Sequence, residues 1–369
     1  MLRKTRVQID RKALHHNLRL TQEWTGAGGF FCPMVKANGY GHGDVEIATL
    51  VAEYGVSAMG VSLYEEALRL REHGLRTPLL VFAPFDRAAA SAALTHQLTP
   101  VISRFEDLEA AASLNSAIGV HLKFNTGMNR LGFDEGDLGK LHNTLAQNPK
   151  IRVEGLCTHL THGEEAHETD GFTQRQLARL KKMTAGFPGV KHAHKSASLA
   201  ALHENNLTVE PGIGSRPGIS IYGLPQDGHR TAKGLQPVLR WSTELTNIHK
   251  VEKGAAVGYG ARWIAQRDSI IGVVSVGYGD GYTRALSNKG EMLFRGQRVP
   301  VVGSVCMDYT MVDLTSALVG MDPHAGEEIV LIGKQGAGEV SAGFLAEKAG
   351  TIAYEIVTGI QRRVAREVV

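Results

Sequence analysis

Short apolar runs alternate with amphipathic stretches over the first 225 residues of the chain. The eight apolar runs lie at residues 30–36, 56–62, 78–84, 98–103, 119–124, 153–159, 190–196 and 207–223. Strands that alternate with helices predict a parallel sheet, and eight such units in this length match a (β/α)8 TIM barrel. A doubly wound open sheet shares the alternation, so the number of strands is what favours the barrel.

The pattern changes at about Pro237, where short strands separated by turn glycines replace the alternation of strands and helices. We predict strands at 238–250, 269–276, 291–294, 299–305, 309–314, 328–332 and 352–360, and one helix at 342–348. These elements predict a C-terminal, mainly β domain. The expected division is therefore a barrel over residues 1–235 and a mainly β domain over residues 236–369.

Composition and charge argue against several classes of protein. The net charge is only +3 and there is no block of lysine or arginine, which disfavours nucleic-acid binding. Three widely spaced cysteines disfavour a disulfide scaffold, and His159 and His162 have no further clustered ligands, so we expect no metal. Neither a signal peptide nor an apolar run of about eighteen residues is present, so we expect a cytoplasmic protein with no membrane partner.

Cations and hydrogen-bond donors stand at the ends of the predicted strands. In a (β/α)8 barrel the active site lies at the carboxyl ends of the strands. The residues found there include Lys36, Lys123, His159, Ser196 and Arg216. This set suits an anionic ligand such as a phosphate ester.

Lys36 is the most informative of these residues because three glycines follow it within the segment KANGYGHG, residues 36–43. A lysine buried near other cations has a lowered pKa, and its neutral amine can form a Schiff base with an aldehyde cofactor and act as a base. The glycines allow the backbone to approach a ligand closely. A surface lysine that caps a strand is the plainer alternative.

Two further glycine-rich segments are candidates for a site. Arg216-Pro217-Gly218-Ile219 follows the eighth predicted strand, where this fold often binds phosphate through backbone amides. Tyr259 and Tyr278 each stand between glycines in the predicted β domain. A glycine turn with a surface arginine, and aromatic residues in turns, are the alternatives when each segment is taken alone.

Taken together, these segments resemble the bacterial alanine racemases, pyridoxal-phosphate enzymes with a barrel and a β domain. The matching segments, in the family's order, are VKANGYGHG (35–43), KFNTGMNRLG (123–132), TH (158–159), RPGI (216–219), GYG (258–260), CMD (306–308) and TIAYE (351–355). Any one of them is a weak signal. So many in order, along nearly the whole chain, are specific.

The resemblance implies a homodimer whose two active sites are each built by both subunits. Lys36 would carry pyridoxal 5'-phosphate and act as the base on the D face of the substrate. Tyr259 of the other subunit would be the base on the L face. Arg216 would hydrogen-bond the pyridine nitrogen of the cofactor, with His159 in support.

The resemblance also implies groups that hold the two anionic ends of the ligands. The phosphate would be bound by Tyr40, Ser196, Gly218, Ile219 and Tyr354. The substrate carboxylate would be bound by Arg130 and by the Met307 amide, the latter again from the partner subunit. Tyr278 would line the entrance to the site. Lys123 matches a lysine that is carbamylated in some members of the family. Asn125, Lys195 and Ser304 depart from the family's pattern, where Asp, Asn and Arg are usual.

The function implied by the resemblance is the interconversion of L-alanine and D-alanine by two bases, which supplies D-alanine for peptidoglycan. The first alternative is a pyridoxal-phosphate racemase of another or several amino acids, such as serine or lysine. A decarboxylase of basic amino acids has the same architecture, but Tyr259 and Arg216 disfavour it. A non-catalytic pyridoxal-phosphate carrier consists of a barrel alone, so the predicted β domain disfavours that alternative.

Overall fold

The structure is a computed structural model that describes residues 3–225, 231–318 and 322–369. The first strand, β1 (Arg6–Ile9), belongs to a sheet that is otherwise built by the second half of the chain. Along the chain, a parallel sheet and its helices follow β1 before the remaining strands of its own sheet begin. In the described residues, no helix combines the length and the apolar character needed to cross a membrane.

The parallel sheet has seven strands in sequence order. They are β2 (Met59–Val61), β3 (Leu79–Val81), β4 (Leu98–Ile102), β5 (Ile118–Lys123), β6 (Ile151–Cys157), β7 (Val190–His194) and β8 (Ile213–Ser215). The helices of this part are α1 (Arg11–Thr25), α2 (Lys36–Tyr40), α3 (Asp44–Tyr54), α4 (Tyr64–Glu72), α5 (Arg87–Thr95), α6 (Phe105–Ala112), α7 (Leu138–Gln147), α8 (Phe172–Met183) and α9 (Ser196–Glu204). Every residue of β2, β3 and β8 is buried, as expected for strands covered on both faces.

The segment 30–35 closes this sheet into a barrel. Phe31 pairs in parallel with Ser215 of β8, and Met34 pairs in parallel with Gly60 of β2. Backbone hydrogen bonds accompany both pairings. The segment therefore serves as the remaining strand of the barrel although its pairing is irregular, and the predicted (β/α)8 barrel is confirmed.

Local signals set the start of several barrel helices. The Asp10 carboxylate accepts a hydrogen bond from the Ala13 amide at 2.9 Å and so caps α1. Asp86 caps α5 in the same way, through the Ala89 amide at 2.9 Å. A cap of this kind contributes about 1 kcal/mol to helix stability.

The second sheet is mainly antiparallel, with the long strand β9 (Leu239–Val251) near its centre, so the predicted mainly β domain is confirmed. The other elements of this half are β10 (Ala256–Val257), β11 (Trp263–Ile264), β12 (Ser269–Val274), β13 (Glu291–Phe294), β14 (Gln297–Pro300), β15 (Thr310–Asp313), β16 (Glu328–Gln335), β17 (Gly338–Val340), β18 (Ala365–Val368), α10 (Ala342–Ala349) and α11 (Ala353–Thr358). Strand β1 lies between β9 and β18. The division between residues 235 and 236 stays a prediction.

Two predicted strands of this half were wrong at least in part. Residues 352–360 were expected to be a strand, but α11 occupies most of this range. Ala353, Ile356 and Val357 are its buried residues, at the three- and four-residue spacing of a helix face. The strand expected at 299–305 ends at Pro300 instead, three residues before Gly303, whose φ of 74° lies in the left-handed region.

Candidate functional site

A cavity of about 450 Å³ opens at the carboxyl ends of the barrel strands. Ten of the thirteen residues predicted from the sequence line it: Lys36, Tyr40, Lys123, Arg130, His159, Ser196, Arg216, Gly218, Ile219 and Tyr354. All but Tyr354 come from the barrel, and Tyr354 is carried in by α11 of the second half. The barrel topology therefore brings together residues that are more than 300 positions apart.

A tight left-handed turn follows Lys36. Ala37, Asn38 and Gly39 have φ angles of 51°, 57° and 59°, a region that non-glycine residues seldom adopt. The carboxylate of Glu66 accepts a hydrogen bond from the Ala37 amide at 2.6 Å and so fixes the start of the turn. This single helical turn brings Lys36 and Tyr40, four residues apart, to the same cavity.

Burial and neighbouring cations lower the pKa values of the two lysines in the cavity. Burial lowers the pKa of Lys36, and the nearby Arg130 guanidinium lowers it further. Burial also lowers the pKa of Lys123 to about 8, with contributions of the same sign from Arg216, Arg130 and Lys36. Both lysines therefore carry more neutral amine near neutral pH than an exposed lysine does.

Arg216 belongs to a buried chain of hydrogen bonds inside the barrel. Its Nη1 lies 2.5 Å from Nδ1 of His192, and its Nη2 donates to the Thr158 carbonyl at 2.5 Å. Nε2 of His192 lies 2.8 Å from Nδ1 of His121. Burial and the charge of Arg216 hold the pKa of His192 well below its usual value and that of His121 at about 4. The imidazoles are therefore neutral, and the guanidinium is the charged member of the chain.

His159 lines the cavity, and its pKa is held well below the usual range, first by burial and then by Arg216. A neutral imidazole can accept one hydrogen bond and donate another. Its neutrality also spares the cavity a further positive charge beside Arg216.

Hydroxyl and amide groups gather at one end of the cavity. The Ser196 hydroxyl oxygen accepts hydrogen bonds from the amides of Gly218 and Ser220, at 2.9 and 3.2 Å. The Tyr40 hydroxyl lies so close to Gly218 that a Cβ atom on this residue would overlap it. The rings of Tyr40 and Tyr354 are 6.1 Å apart between centroids. A side chain at position 218 would therefore displace the Tyr40 phenol from this space.

Three predicted residues lie elsewhere on the chain. Tyr259, Tyr278 and Met307 belong to the second half, and their exposed fractions are 75%, 41% and 53%. Tyr259 and Tyr278 line a different cavity of about 890 Å³. Within one subunit, the structure does not bring these three residues to the barrel cavity.

Sequence reasoning missed several residues that act on the site. Glu66 accepts from the amide that follows Lys36, His192 contacts Arg216 and His121 contacts His192. Glu164 lines the cavity beside Lys195. Lys195 donates to the Thr161 carbonyl at 3.0 Å and lies 4.0 Å from Glu164. His121 stands among apolar residues in β5, which was an available signal, whereas β7 (VKHAH) gives no such contrast for His192.

The fold and the cavity define a barrel protein with a pocket at its strand ends that is lined by cationic groups and hydrogen-bond donors. The sequence profile of the alanine racemase N-terminal domain matches residues 9–226, and that of the C-terminal domain matches residues 238–368. The chain therefore belongs to the alanine racemase family of pyridoxal-phosphate-dependent isomerases.

Individual relatives agree with this assignment over their whole length. The chain is 37% identical to the alanine racemase of Symbiobacterium thermophilum, over 99% of this chain and 97% of that protein. It is 35% identical to the alanine racemase of Sorangium cellulosum, over 99% of each. The crystal structure of alanine racemase from E. faecalis superposes with a TM-score of 0.89 at 31% identity, over 100% of this chain and 98% of that chain.

Proposed function

We propose that this chain is an alanine racemase that interconverts L-alanine and D-alanine, and that its D-alanine serves peptidoglycan synthesis. The main support for this proposal is that Lys36 and Arg216 line the same cavity at the strand ends as a set of hydroxyl and amide donors suited to a phosphate. The full-length similarity to alanine racemases supports the choice of substrate.

The residues of the cavity fit pyridoxal 5'-phosphate. Tyr40, Ser196, Tyr354 and the backbone at Gly218 would hold its phosphate, because hydroxyl and amide donors meet there and the Tyr40 hydroxyl lies directly against Gly218. Ile219, which also lines the cavity, would add a backbone amide. When bound, this cofactor supplies an electron sink that stabilises negative charge on the substrate's Cα.

Lys36 and Arg216 would hold the reactive part of the cofactor. Lys36 would bind it covalently through Nζ, since the lowered pKa of this lysine makes the nucleophilic neutral amine available. Arg216 would donate to the pyridine nitrogen, and its contacts with His192 and Thr158 fix the plane of the guanidinium. Because arginine does not give up its proton, this nitrogen would stay unprotonated.

Racemisation requires one proton to leave Cα and another to arrive on the opposite face, so one base on each face suffices. The Nζ atom of Lys36 would remove or return the Cα proton on the D face. Tyr259 would serve the L face, and Arg130 with the Met307 amide would bind the substrate carboxylate. Tyr278 would line the entrance.

A homodimer would complete the site. Tyr259, Tyr278 and Met307 lie exposed on the second half and away from the barrel cavity of their own subunit. Exposed aromatic and apolar side chains in a cluster are typical of a surface that another chain covers. We therefore assign these three residues to the partner's cavity.

Lys123 is proposed as a carbamylated lysine. Its pKa of about 8 makes a neutral amine available to carbon dioxide, and Arg130 and Arg216 stand near enough to affect its charge. A carbamate would replace one cation of a crowded set by an anion that pairs with the arginines. A carbamate resonance in the carbon NMR spectrum of protein equilibrated with ¹³C-bicarbonate, absent in Lys123→Ala, is the expected result.

The proposed function is tested with purified protein supplied with pyridoxal 5'-phosphate. Circular dichroism follows the loss of optical activity of L-alanine, L-serine and L-lysine in parallel. We expect loss with L-alanine, and a Lys36→Ala variant that has neither this activity nor the cofactor's visible absorbance. Lys181→Ala, an exposed lysine on α8, is the matched control and should behave as wild type.

The other outcomes are equally informative. Faster loss with L-serine or L-lysine would assign the enzyme to a racemase of that amino acid. If none of the three lost optical activity, the racemase assignment would be wrong. Rescue of a D-alanine-requiring bacterium by the wild type, but not by Lys36→Ala, tests the supply of D-alanine to the cell wall.

A further inference from the structure

Arg363 joins two separate loops of the second half. Its Nε donates to Oδ1 of Asp280 at 2.7 Å, and its Nη2 donates to Oδ1 of Asp308 at 2.7 Å. Asp280 lies in the loop that contains Tyr278, and Asp308 follows Met307 directly. One guanidinium group near the C-terminus therefore holds the carboxylates that flank two candidate site residues.

The two loops also touch through their backbones. The Tyr278 amide donates to the Cys306 carbonyl at 2.9 Å, and the Gly279 amide donates to the Met307 carbonyl at 2.9 Å. A Cβ atom on Gly279 would come within 2.8 Å of Nη2 of Arg363, so the guanidinium lies directly over this junction. The backbone bonds and the arginine together make one unit out of the two loops.

Asp280 is a fully buried carboxylate with a second arginine partner. Arg3 donates to both of its oxygens, at 2.6 and 2.7 Å, and the Gly277 amide donates to Oδ2 at 3.0 Å. Burial alone would raise the pKa of Asp280, but the hydrogen bonds from Arg3 and Arg363 outweigh burial and lower it. Arg3 thus shares the Asp280 contact of Arg363, while the bridge to Asp308 is made by Arg363.

We propose that Arg363 is a positioning residue that fixes the Met307 amide and the Tyr278 side chain in the geometry needed to bind substrate in the partner's cavity. The proposal rests on the proposed function, which places Met307 and Tyr278 in that cavity. The physical reason is that an exposed loop holding a carboxylate-binding amide must be rigid, since a displacement of about 1 Å can cost 10²-fold in rate. Arg363 provides that rigidity from the second half of the same chain.

The test compares Arg363→Met with Arg3→Met, because both variants remove one arginine from Asp280 and only the first removes the bridge to Asp308. We expect Arg363→Met to raise KM for L-alanine roughly tenfold to hundredfold. Its cofactor absorbance should match that of Arg3→Met, because the barrel cavity is untouched. An equal rise of KM in both variants would overturn the proposal, since the effect would then come from Asp280 alone.

Two additional variants keep the test decisive if Arg363→Met folds poorly. Asp308→Ala removes the same bridge from its exposed end, because alanine offers no acceptor to Arg363, and it should raise KM similarly. Arg363→Lys offers a single ammonium group that cannot span both carboxylates, so it should restore only part of the loss. A wild-type KM in Asp308→Ala would contradict the proposal.

Hydrogen exchange separates failure of this proposal from failure of the proposed function. In the protein without cofactor or substrate, Arg363→Met should speed amide exchange in peptides covering residues 276–282 and 303–310, relative to Arg3→Met. This readout requires no racemase activity. Unchanged exchange in both peptides would show that Arg363 does not hold the loops, whatever reaction the protein catalyses.

Hybrid dimers test whether Arg363 acts on the partner. Chains carrying Arg363→Met are paired with chains carrying Lys36→Ala, which are inactive by themselves. The active site of the hybrid then combines the barrel of the first chain with the second half of the other, where Arg363 is intact. We expect a normal KM for L-alanine. A raised KM would show that Arg363 does not act on the partner's cavity.

Discussion

The backbone of Gly41 lies against the carbonyl oxygen of Val357, so close that a Cβ atom on residue 41 would overlap this oxygen. The contact joins the loop that follows Lys36 to α11, the helix that carries Tyr354 into the barrel cavity. Arg366 reinforces the junction by donating to the Gly41 carbonyl at 2.8 Å. The segment that carries Tyr40 and the helix that carries Tyr354 are thus held together by this backbone contact and by Arg366.

Gly41→Ala should therefore destabilise the protein more than a change at a comparable glycine. Gly55 is the matched control, because its φ of 89° resembles the 82° of Gly41 but no atom lies within 4 Å of an added Cβ. Gly55→Ala should lower the free energy of unfolding by about 1–2 kcal/mol for the left-handed backbone alone. Gly41→Ala should cost roughly 1–3 kcal/mol more, from steric overlap. Urea denaturation measures both, and equal losses would contradict this account.

Tyr259→Phe should remove the proposed base on the L face while leaving the barrel cavity intact. We expect kcat for L-alanine to fall roughly 10²- to 10⁴-fold, with unchanged cofactor absorbance. Tyr309→Phe is the control, because Tyr309 is also an exposed tyrosine of the second half, at 47%. An active Tyr259→Phe enzyme would exclude this phenol as a base.

The same variant tests whether the active sites are shared. Mixed dimers of Tyr259→Phe and Lys36→Ala chains would contain one site with both intact residues. Random pairing should then give about a quarter of the wild-type activity, well above either variant alone. If the mixture stayed inactive, Tyr259 would not act in the partner's cavity.

Ser196→Ala should weaken binding of the cofactor's phosphate. The Ser196 hydroxyl is buried among the proposed phosphate donors, so its loss removes one donor to the phosphate. A cost of about 1–3 kcal/mol corresponds to roughly tenfold to hundredfold weaker binding. Titration of the cofactor by absorbance measures it, and Ser91→Ala on the exposed side of α5 is the control. Wild-type affinity in Ser196→Ala would remove this residue from the phosphate site.

Lys123 should make the stability of the protein depend on alkaline pH. Its pKa is about 8 in the folded protein and 10.5 in the ordinary case, so the unfolded chain binds the additional proton between these values. Below pH 8 the charged Lys123 therefore lowers the free energy of unfolding by its full amount. This free energy rises as the pH increases from 8 to 10.5. The whole change is on the order of 3 kcal/mol.

The measurement compares wild type with Lys123→Met by urea denaturation at pH 7 and pH 10, in buffer free of carbon dioxide so that the amine is not carbamylated. The difference in the free energy of unfolding between the two proteins should shift in favour of the wild type at the higher pH. A difference that does not change with pH would show that the folded protein does not perturb this lysine.

The sequence by itself determined the barrel, the mainly β half and most of the residues of the cavity. Apolar periodicity reports which side of a local segment is buried, so the alternation of strands and helices was visible without the structure. The glycine-rich segments at strand ends placed Lys36 and Arg216 correctly, because parallel barrel strands present all their carboxyl ends at one face.

The tertiary structure alone decided how distant parts of the chain meet. Strand β1 lies in the second sheet, and α11 is a helix where a strand was expected, because β-branched residues fit both patterns until their packing partners are known. The ion pair of Arg3 with Asp280 joins residues 277 positions apart. Such contacts leave no mark on local periodicity, since their energy depends on burial and geometry that only the folded chain creates.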